Sequence, residues 1–401
     1  MTHRERVLAA LSHKEPDRVP IDLGGTESSG MTAVTFLNLA DRLSITHIPR
    51  IFDVYQQICL IPDDVLDRFD IDTVPLVFEP AHWTADTTSD SRSALSPAAW
   101  RPDTLADGSR VVRDSSGRVI ASMPSGGFYF DPVYSPLAGV TDIAALDGYK
   151  EDFDRFDMSA MFDEGLDRMV ERARALHEDT SRCVVANLCV HILAAGQILR
   201  GFENFTMDLL INEPLACAVM DKLLEAYFPR IDTLASRLRD YVDVVLVNDD
   251  LGTQAGPMIS PDTYRKMVKP FHARLFAHVK KRFGKPLLMH SCGSIRALIP
   301  DLIEIGVDAI NPVQVSAVGM DPTRLKKDFG KDITFWGGGC DTQSVLPNGS
   351  PQDVRDEVKR RIDTLAPGGG FVFTQVHNIQ PGVPSENIIA MLDAAREFGG
   401  Y

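Results

Sequence analysis

The sequence predicts an α/β protein folded as a single, distorted (β/α)8 TIM barrel. Helical patterns alternate with apolar runs of strand length, the order expected of parallel βαβ units. Eight units suggest a closed barrel of typically ~250 residues, and a chain of 401 residues leaves room for additions to it. The eight runs begin near residues 19, 71, 183, 243, 286, 309, 333 and 371.

The first two strands are preceded by helical segments. Thr2 and Glu5 match a capping box, which predicts a helix through Leu11. The first strand then opens into the loop 24–30, whose glycines lack the spacing of a nucleotide-binding loop. Residues 31–68 look helical, with an interruption near 47–50, and lead into the second strand.

Residues 79–150 differ in composition from the rest of the chain. Ser, Thr, Asp, Gly and Pro accumulate there, and Gly117 lies in a turn between two strand-like runs, a hairpin signal. We interpret this stretch as an insertion of antiparallel strands into one domain that covers residues 1–401. The aromatic residues at its end either anchor the insertion or cover a pocket: Phe128, Tyr129, Phe130 and Tyr134.

From residue 160 onward the alternation is regular. Each later strand follows a helical pattern, and a last helix ends the chain. The predicted helices cover about 160–178, 203–239, 261–282, 294–305, 321–329, 351–365 and 385–398.

Charge and hydropathy exclude several partners. A formal net charge of −15 argues against nucleic acid and anionic membranes. The chain shows neither a signal-peptide pattern nor the roughly 20 apolar residues of a membrane span, so we expect a cytoplasmic protein. The six cysteines are then expected to be free or metal-bound.

Two strand ends carry soft metal ligands. The fifth predicted strand ends in His290 and Cys292, two residues apart and therefore on the same side of a strand. Cys340 follows the seventh strand after three glycines. One imidazole and two thiolates suit zinc, and three protein ligands leave a fourth position open, as in catalytic zinc sites.

Other polar residues lie at the carboxyl ends of the predicted strands, where TIM barrels place their active sites. We expect Asp249, Gln375 and His377 to take part in catalysis, although one of Asp249 and Asp250 could instead be a helix cap. The residues expected to contact substrate are Glu27, Asn187, Asp250, Asn311 and Gln314.

The sequence resembles the uroporphyrinogen decarboxylase superfamily over essentially its whole length. That family folds as a single distorted TIM barrel and includes decarboxylases and corrinoid-dependent methyltransferases. The resemblance is carried by the blocks 4–11, 16–20, 248–253, 259–261, 290–293, 337–341, 377–379 and 384–388.

The two branches of the family differ at readable positions. Decarboxylases hold a polycarboxylate substrate with an arginine-rich loop after the first strand and need no metal. Here the loop 24–30 has no arginine and contains Glu27, which would repel carboxylates, whereas arginine binds them well. The methyltransferase branch holds zinc with His-x-Cys and a distant Cys, which matches His290, Cys292 and Cys340.

The resemblance therefore implies a zinc-dependent methyltransferase acting on a small methylated substrate or a methyl acceptor. The sequence lacks an Asp-x-His-x-x-Gly corrinoid motif, so we expect cobalamin to be carried by a separate corrinoid protein. Pairing into a homodimer is a further expectation. The alternatives are a lyase that decarboxylates a tetrapyrrole or another acid, and a non-catalytic barrel that only scaffolds a corrinoid protein.

Overall fold

A parallel seven-stranded sheet forms the centre of the molecule. The computed structural model describes residues 1–154, 156 and 164–401. The strands lie side by side in chain order and each is parallel to its neighbour. They are β1 Thr73–Leu76, β2 Cys183–Asn187, β3 Val244–Asn248, β4 Leu287–His290, β5 Ala309–Asn311, β6 Thr334–Trp336 and β7 Phe371–Val372.

Residues 19–23 occupy the eighth position and close the sheet on itself. On one side, the amide of Phe373 donates to the carbonyl of Pro20 and the amide of Asp22 donates to Phe373, each at 2.8 Å. On the other side, the amide of Asp72, next to β1, donates to the carbonyl of Ile21 at 2.8 Å. The predicted (β/α)8 barrel is confirmed, with all eight runs in place.

The barrel interior is filled by side chains that alternate along the strands. The N-terminal helix His3–Leu11 covers the amino ends of the strands and contributes Val7, Ala10 and Leu11 to this cluster. Because strand side chains alternate in direction, the next inward positions toward the carboxyl ends carry the polar residues described below. The interior strand residues are Cys183, Val185, Val244, Leu246, Leu288, Ala309, Trp336 and Val372.

The outer layer of helices packs against the other face of the strands and forms the larger core. The part of the predicted helix at about 160–178 that covers 160–163 lies outside the described residues. The α-helices beyond the first are Ala33–Leu43, Asp63–Arg68, Lys150–Asp154, Leu166–Asp179, Leu193–Arg200, Phe202–Ile211, Glu213–Leu238, Pro261–Thr263, Lys269–Phe283, Ile299–Glu304, Pro322–Phe329, Val345–Asn348, Pro351–Leu365 and Ser385–Phe398, with a 3₁₀ turn at Ile143–Tyr149 and a π turn at Tyr264–Val268.

The prediction of helix across 31–68 was wrong in its middle part. Ile51–Asp53 and Ile58–Cys59 form an antiparallel hairpin. The carboxylate of Asp53 accepts the amides of Tyr55 and Gln56, both at 3.0 Å. Such a local side-chain bond to the backbone gives the chain an alternative to helix.

The stretch predicted as an insertion consists of short antiparallel strands. Trp83–Thr87 pairs with Ser93–Pro97. A separate four-stranded sheet contains Asp103–Thr104, Arg110–Arg113, Val119–Met123 and Asp131–Pro132. Its central pair is the hairpin predicted around Gly117.

The aromatic residues at the end of this stretch divide into two groups. Phe130 is buried against Trp100, with ring centroids 5.0 Å apart, and so anchors the sheet. Phe128, Tyr129 and Tyr134 are 43%, 37% and 36% exposed. None of the described helices is long and apolar enough to cross a bilayer.

Candidate metal centre

His290 and Cys292 meet at the carboxyl end of β4. Leu288 points into the barrel, and His290, two residues later, points the same way. The Nε2 atom of His290 and the Sγ atom of Cys292 lie 3.4 Å apart. The sequence prediction that these two side chains lie side by side is consistent with this geometry.

Asn311 fixes the orientation of the His290 ring. Its Nδ2 atom donates to the carbonyl of Trp336 at 3.1 Å, so its Oδ1 atom faces the Nδ1 atom of His290, 3.1 Å away. Since an amide oxygen only accepts, Nδ1 of His290 carries the proton and Nε2 presents its lone pair toward Cys292. The hydroxyl of Ser28 donates to the same Asn311 oxygen.

His377 is the third potential ligand at this point. One ligand atom from each of His290, Cys292 and His377 lies within 4.8 Å of the others. The two imidazole rings are edge to face, with centroids 6.1 Å apart. Burial and the nearby His290 lower the pKa of His377 to about 4, although Asn378 and Asp250 oppose the shift, so the ring is neutral, which is the form that binds metals.

Cys340 lies in a different layer. Its side chain is fully buried in the core between strands and helices. Its thiol donates to Oε2 of Glu357, on the helix Pro351–Leu365, at 3.5 Å. Burial and the carboxylate of Glu357 raise the pKa of the Cys340 thiol well above its usual value. The described residues that cluster at His290 and Cys292 do not include Cys340, and its assignment as a metal ligand stays a prediction.

Two loops cross closely beside Cys292. A Cβ atom on Gly293, whose φ is +82°, would lie 2.4 Å from the carbonyl carbon of Gly252. The carboxylate of Asp250 accepts the amide of Cys292 at 2.8 Å and lies 3.6 Å from Nε2 of His290. Gln314 accepts the amide of Gly293 at 2.8 Å. Asp250 and Gln314, predicted to contact substrate, thus hold the loop that carries Cys292.

Polar side chains also lie at the carboxyl ends of the neighbouring strands β2 and β3. The Nδ2 atom of Asn187 donates to the carboxylate of Glu27 at 2.7 Å, so both predicted substrate residues lie together. Asn248 donates to Asn187 at 3.3 Å, and its own Oδ1 is buried and accepts no hydrogen bond from the described residues. Sequence reasoning missed Asn248, although it lies two residues beyond the inward Leu246.

Two acidic side chains outside the barrel strands, Asp53 and Tyr129, interact electrostatically with residues of this site. Burial, with the charge of Glu27, raises the pKa of Asp53 to about 6. Burial, with the charges of Asp53 and Cys292, raises the pKa of Tyr129 to about 12. Asp53 and Tyr129 are therefore close enough to residues of the barrel mouth for their charges to interact.

The carboxylate of Asp249 is fully engaged by hydrogen bonds from the protein. Its carboxylate accepts the amides of Ile192, Leu193 and Ala194 at 2.6–2.9 Å, at the start of the helix Leu193–Arg200. Burial would raise its pKa, but the hydrogen bond from His272 at 2.8 Å outweighs it and the pKa is lowered. The sequence analysis suggested that one of Asp249 and Asp250 is a helix cap, and Asp249 has the contacts of such a cap. A catalytic role for Asp249 stays a prediction.

The side chain of Gln375 also makes its hydrogen bonds within the protein. Its Nε2 atom donates to the carbonyls of Ser29 and Gly30, at 2.7 and 3.2 Å, and its Oε1 atom accepts from Thr374 at 3.1 Å. It is fully buried. The Gln375 side chain thus connects the end of β7 to the loop 24–30, which follows the barrel-closing residues 19–23. Its catalytic role stays a prediction.

The donor set at the mouth suits zinc. Zinc bonds of about 2.0–2.3 Å at tetrahedral angles separate two ligand atoms by roughly 3.3–3.8 Å. The 3.4 Å between His290 and Cys292 falls in this range. Thiolate and neutral imidazole are zinc ligands, and the hydrogen bond that Nδ1 of His290 donates to Oδ1 of Asn311 is of the kind that zinc-bound histidines usually make with a second protein group.

Comparisons with known proteins agree with this fold. The uroporphyrinogen decarboxylase (URO-D) family model matches residues 151–398. This is more than half of the chain, and the protein therefore belongs to the uroporphyrinogen decarboxylase family.

Two curated relatives are methyltransferases. The methylated-thiol–coenzyme M methyltransferase of Methanosarcina mazei is 28% identical over 140 residues, 35% of this chain and 34% of the relative. The methylcobamide:CoM methyltransferase MtaA of Methanosarcina barkeri is 27% identical over 160 residues, 39% of this chain and 42% of the relative. The chain thus spans between a third and somewhat over two fifths of these relatives' lengths.

A solved structure shares the fold over nearly the full length. It is a methyltransferase from Methanosarcina mazei that matches with a TM-score of 0.61 and 15% identity and covers 99% of both chains. At this identity the match concerns the fold alone.

Proposed function

We propose that this protein is a zinc-dependent methyltransferase that moves a methyl group between a small O-, N- or S-methyl compound, or a methyl acceptor, and the cobalt of a separate corrinoid protein. The observation that carries the proposal is the 3.4 Å pair of His290 Nε2 and Cys292 Sγ at the barrel mouth. Two relatives named as methyltransferases, one of them for methylcobamide, support the reaction class.

The alternative, a decarboxylase acting on a tetrapyrrole or other acid, fits the mouth less well. Its substrate would meet the carboxylate of Glu27, which is held in place by Asn187. The other acids acting there are Asp53 and Asp250. A polycarboxylate needs guanidinium groups at such a position.

A bound zinc ion would supply a Lewis acid that activates a thiol or polarises the heteroatom of a methyl compound. Around it, the protein's own residues set the geometry. Asn311 holds His290 with Nε2 facing the mouth. Asp250 and Gln314 fix the loop of Cys292 through its backbone amides. Asn187 and Glu27 offer hydrogen bonds to a substrate entering beside them.

We infer that Tyr129 limits the access of water to the mouth. It belongs to the inserted stretch, and its hydroxyl feels the charges of Asp53 and Cys292. A corrinoid protein that docks at the carboxyl ends of the strands would then contact the stretch 79–150. We therefore include a corrinoid-protein partner in the proposal, with the cobalt approaching from the carboxyl ends of the strands.

The test combines metal analysis with cobalamin spectroscopy. Zinc-loaded protein is mixed under anaerobic conditions with cobalamin that has been chemically reduced to the Co(I) state and with a panel of methoxylated, methylamine and methylthiol compounds, and the conversion of Co(I) to methyl-Co(III) is followed by absorbance. We expect one zinc per chain and turnover with at least one class of compound, both lost in Cys292→Ala. A metal-free protein that releases carbon dioxide from a carboxylated substrate would establish the lyase instead.

A further inference from the structure

We propose that two copies of this chain associate through the exposed apolar face of the helix Phe202–Ile211, with the two helices crossing antiparallel about a two-fold axis. The apolar face consists of Phe202, Met207, Leu210 and Ile211. The proposal does not depend on the methyl-transfer reaction, and it assigns a defined surface to the expected homodimer.

The helix Phe202–Ile211 has large apolar side chains on both of its sides. The members of the apolar face are between 45% and 74% exposed. On the opposite side, Phe205 and Leu209 are buried in the main core. A surface helix normally presents polar residues to solvent, and a helix that is apolar all round is normally buried. The helix therefore has the composition of an element that another layer of protein covers.

Exposed side chains of this kind are concentrated here. Fifteen large apolar side chains are exposed among the described residues, and four of them form the apolar face. Ile198, on the preceding helix, and Tyr134 are two more. Tyr134 precedes Ser135, whose Oγ atom lies 3.8 Å from the Cβ position of Gly201. The exposed apolar surface thus continues from the helix onto the end of the inserted stretch.

The size of this surface suits an interface between two copies. The apolar face exposes roughly 500 Å², whereas the largest apolar patch on a typical monomer measures ~300–600 Å². Two copies of the apolar face, together with Ile198 and Tyr134 of each, would bury about 1,300 Å², which reaches the ~1,200–2,000 Å² of specific interfaces. A pair of these surfaces is therefore large enough for a stable dimer.

The helix is fixed from behind by packing and by a buried ion pair. The ring of Phe205 packs so closely on the preceding helix that a Cβ atom on Gly196 would lie 2.3 Å from it. Arg200 donates to the carboxylate of Asp208 at 2.9 Å, and both side chains are buried. The amide of Asn212 donates to the carbonyl of Asp208 at 3.0 Å. A surface that is already ordered loses little entropy on association.

The apolar face is suited to pairing with itself. It extends over the whole helix, from Phe202 at the first position to Ile211 at the last, with Met207 near the middle. A two-fold axis near Met207 would place Phe202 of one protomer opposite Ile211 of the partner subunit. This is the self-complementary contact that a two-fold interface requires, and helices pack at an axial distance of ~8–10 Å.

The charges at the two ends of the helix fit the same arrangement. Glu203 is exposed in the first turn. Beyond the last turn, Lys266 binds Glu213, the residue that begins the next helix. Antiparallel pairing directs Glu203 of one protomer toward Lys266 of the partner subunit. Opposite charges at the rim of an interface favour one orientation over others.

The first experiment measures self-association by sedimentation velocity over a range of protein concentrations. We expect the wild type to be a dimer and Ile211→Asp to raise its dissociation constant at least about 30-fold, as loss of a central contact does. Ile48→Asp, at an exposed isoleucine outside the apolar face, is the matched control and should remain a dimer. Circular dichroism checks that both variants are folded.

The second experiment tests the two-fold crossing. Met207→Cys places a thiol near the proposed axis, and a short bismaleimide should link it to its copy in the partner subunit. The wild type and Ile48→Cys, treated in parallel, give the background from other cysteines. A wild type that is monomeric at every concentration would overturn the proposal, and so would a dimer that Ile211→Asp leaves intact. Cross-linking of Met207→Cys no higher than the background would overturn the antiparallel arrangement.

Discussion

At the scale of single residues, the candidate site depends on hydrogen bonds that set which atom faces the metal. The sequence predicted His290 and Cys292 from their spacing at a strand end. It predicted Asn311 as a substrate contact, which stays a prediction, and the structure shows Asn311 as the hydrogen-bond partner of His290 Nδ1 and of Ser28. The hydrogen bond between Asn311 and His290 could not be predicted from the sequence, because the two residues lie on different strands.

Replacing Asn311 therefore tests the outer hydrogen bond. Asn311→Ala frees His290 to rotate and to bind a metal through either nitrogen, so zinc affinity is expected to fall about 10–100-fold. Competition with a chromophoric chelator measures the affinity. Asn348→Ala, at an exposed asparagine, is the matched control and should bind zinc as tightly as the wild type. Equal affinity in both variants would show that Asn311 does not orient the ligand.

At the scale of elements, the loops after neighbouring strands are locked together by glycine. Gly293 and Gly117 both have positive φ values, +82° and +83°. Around Gly117 there is nothing within 4 Å of the Cβ position, while Gly293 abuts the backbone of Gly252. The glycine after Cys292 was visible in the sequence, but its contact with the loop after β3 was not.

These two glycines form a matched pair for mutation. Both alanine variants incur the cost of a left-handed backbone, about 1–2 kcal/mol. Gly293→Ala additionally forces two backbones apart, and we expect at least about 2 kcal/mol more destabilisation and a reduced zinc content. Urea unfolding and metal analysis measure the two effects. If the two variants behave alike, the close crossing does not position Cys292.

Asp249 connects β3 to the helix Leu193–Arg200. Three backbone amides and His272 surround its carboxylate. His272 was not singled out from the sequence, because it lies on a helix far along the chain from Asp249. The pairing indicates that Asp249 stabilises the element boundary.

Asp249→Asn is accordingly expected to reduce the free energy of unfolding by about 3 kcal/mol, since the amide group would oppose the N–H donors around it. Asp262→Asn, at a side chain 97% exposed, should change the free energy by less than about 0.5 kcal/mol. Denaturant unfolding decides between them. A fully stable Asp249→Asn protein without methyl-transfer activity would instead assign the residue to catalysis.

At the scale of the whole molecule, Asp72 holds the N-terminal part against the barrel. Its buried carboxylate accepts hydrogen bonds from His3, Arg6, Arg18 and the amide of Ile21, at 2.5–2.8 Å. These contacts join the first helix and the closing segment to β1. Burial would raise its pKa, but the hydrogen bond from His3 and the charge of Arg18 outweigh burial and lower it.

Barrel closure should therefore depend on pH. A lowered pKa in the folded state stabilises the protein above about pH 4, the ordinary value, and this contribution is lost as the pH falls toward the folded-state pKa. Asp72→Asn is expected to cost about 3–5 kcal/mol at neutral pH, because the arginines lose their buried partner. The variant's stability should also fall less steeply in acid. The exposed pair His47–Asp64 offers Asp64→Asn as a control.

The overall fold could be predicted because its signals are local. Each barrel strand is an apolar run, and all eight runs were found. The hairpin at Ile51–Cys59 was missed because the turn at Asp53 overrides a pattern that looks helical. The direction of the Cys340 side chain could not be predicted from the sequence, because it depends on the packing of Gly339 against Phe373 and on the contact of the thiol with Glu357.

The most direct test of the central claim is a titration of metal-free protein with zinc while methyl transfer to or from cobalamin is measured. We expect no transfer without metal, a linear rise in rate as zinc is added, and a break at one zinc per chain. The break should be abolished in Cys292→Ala. Full methyl-transfer activity in metal-free protein, or zinc binding that leaves the rate unchanged, would contradict it.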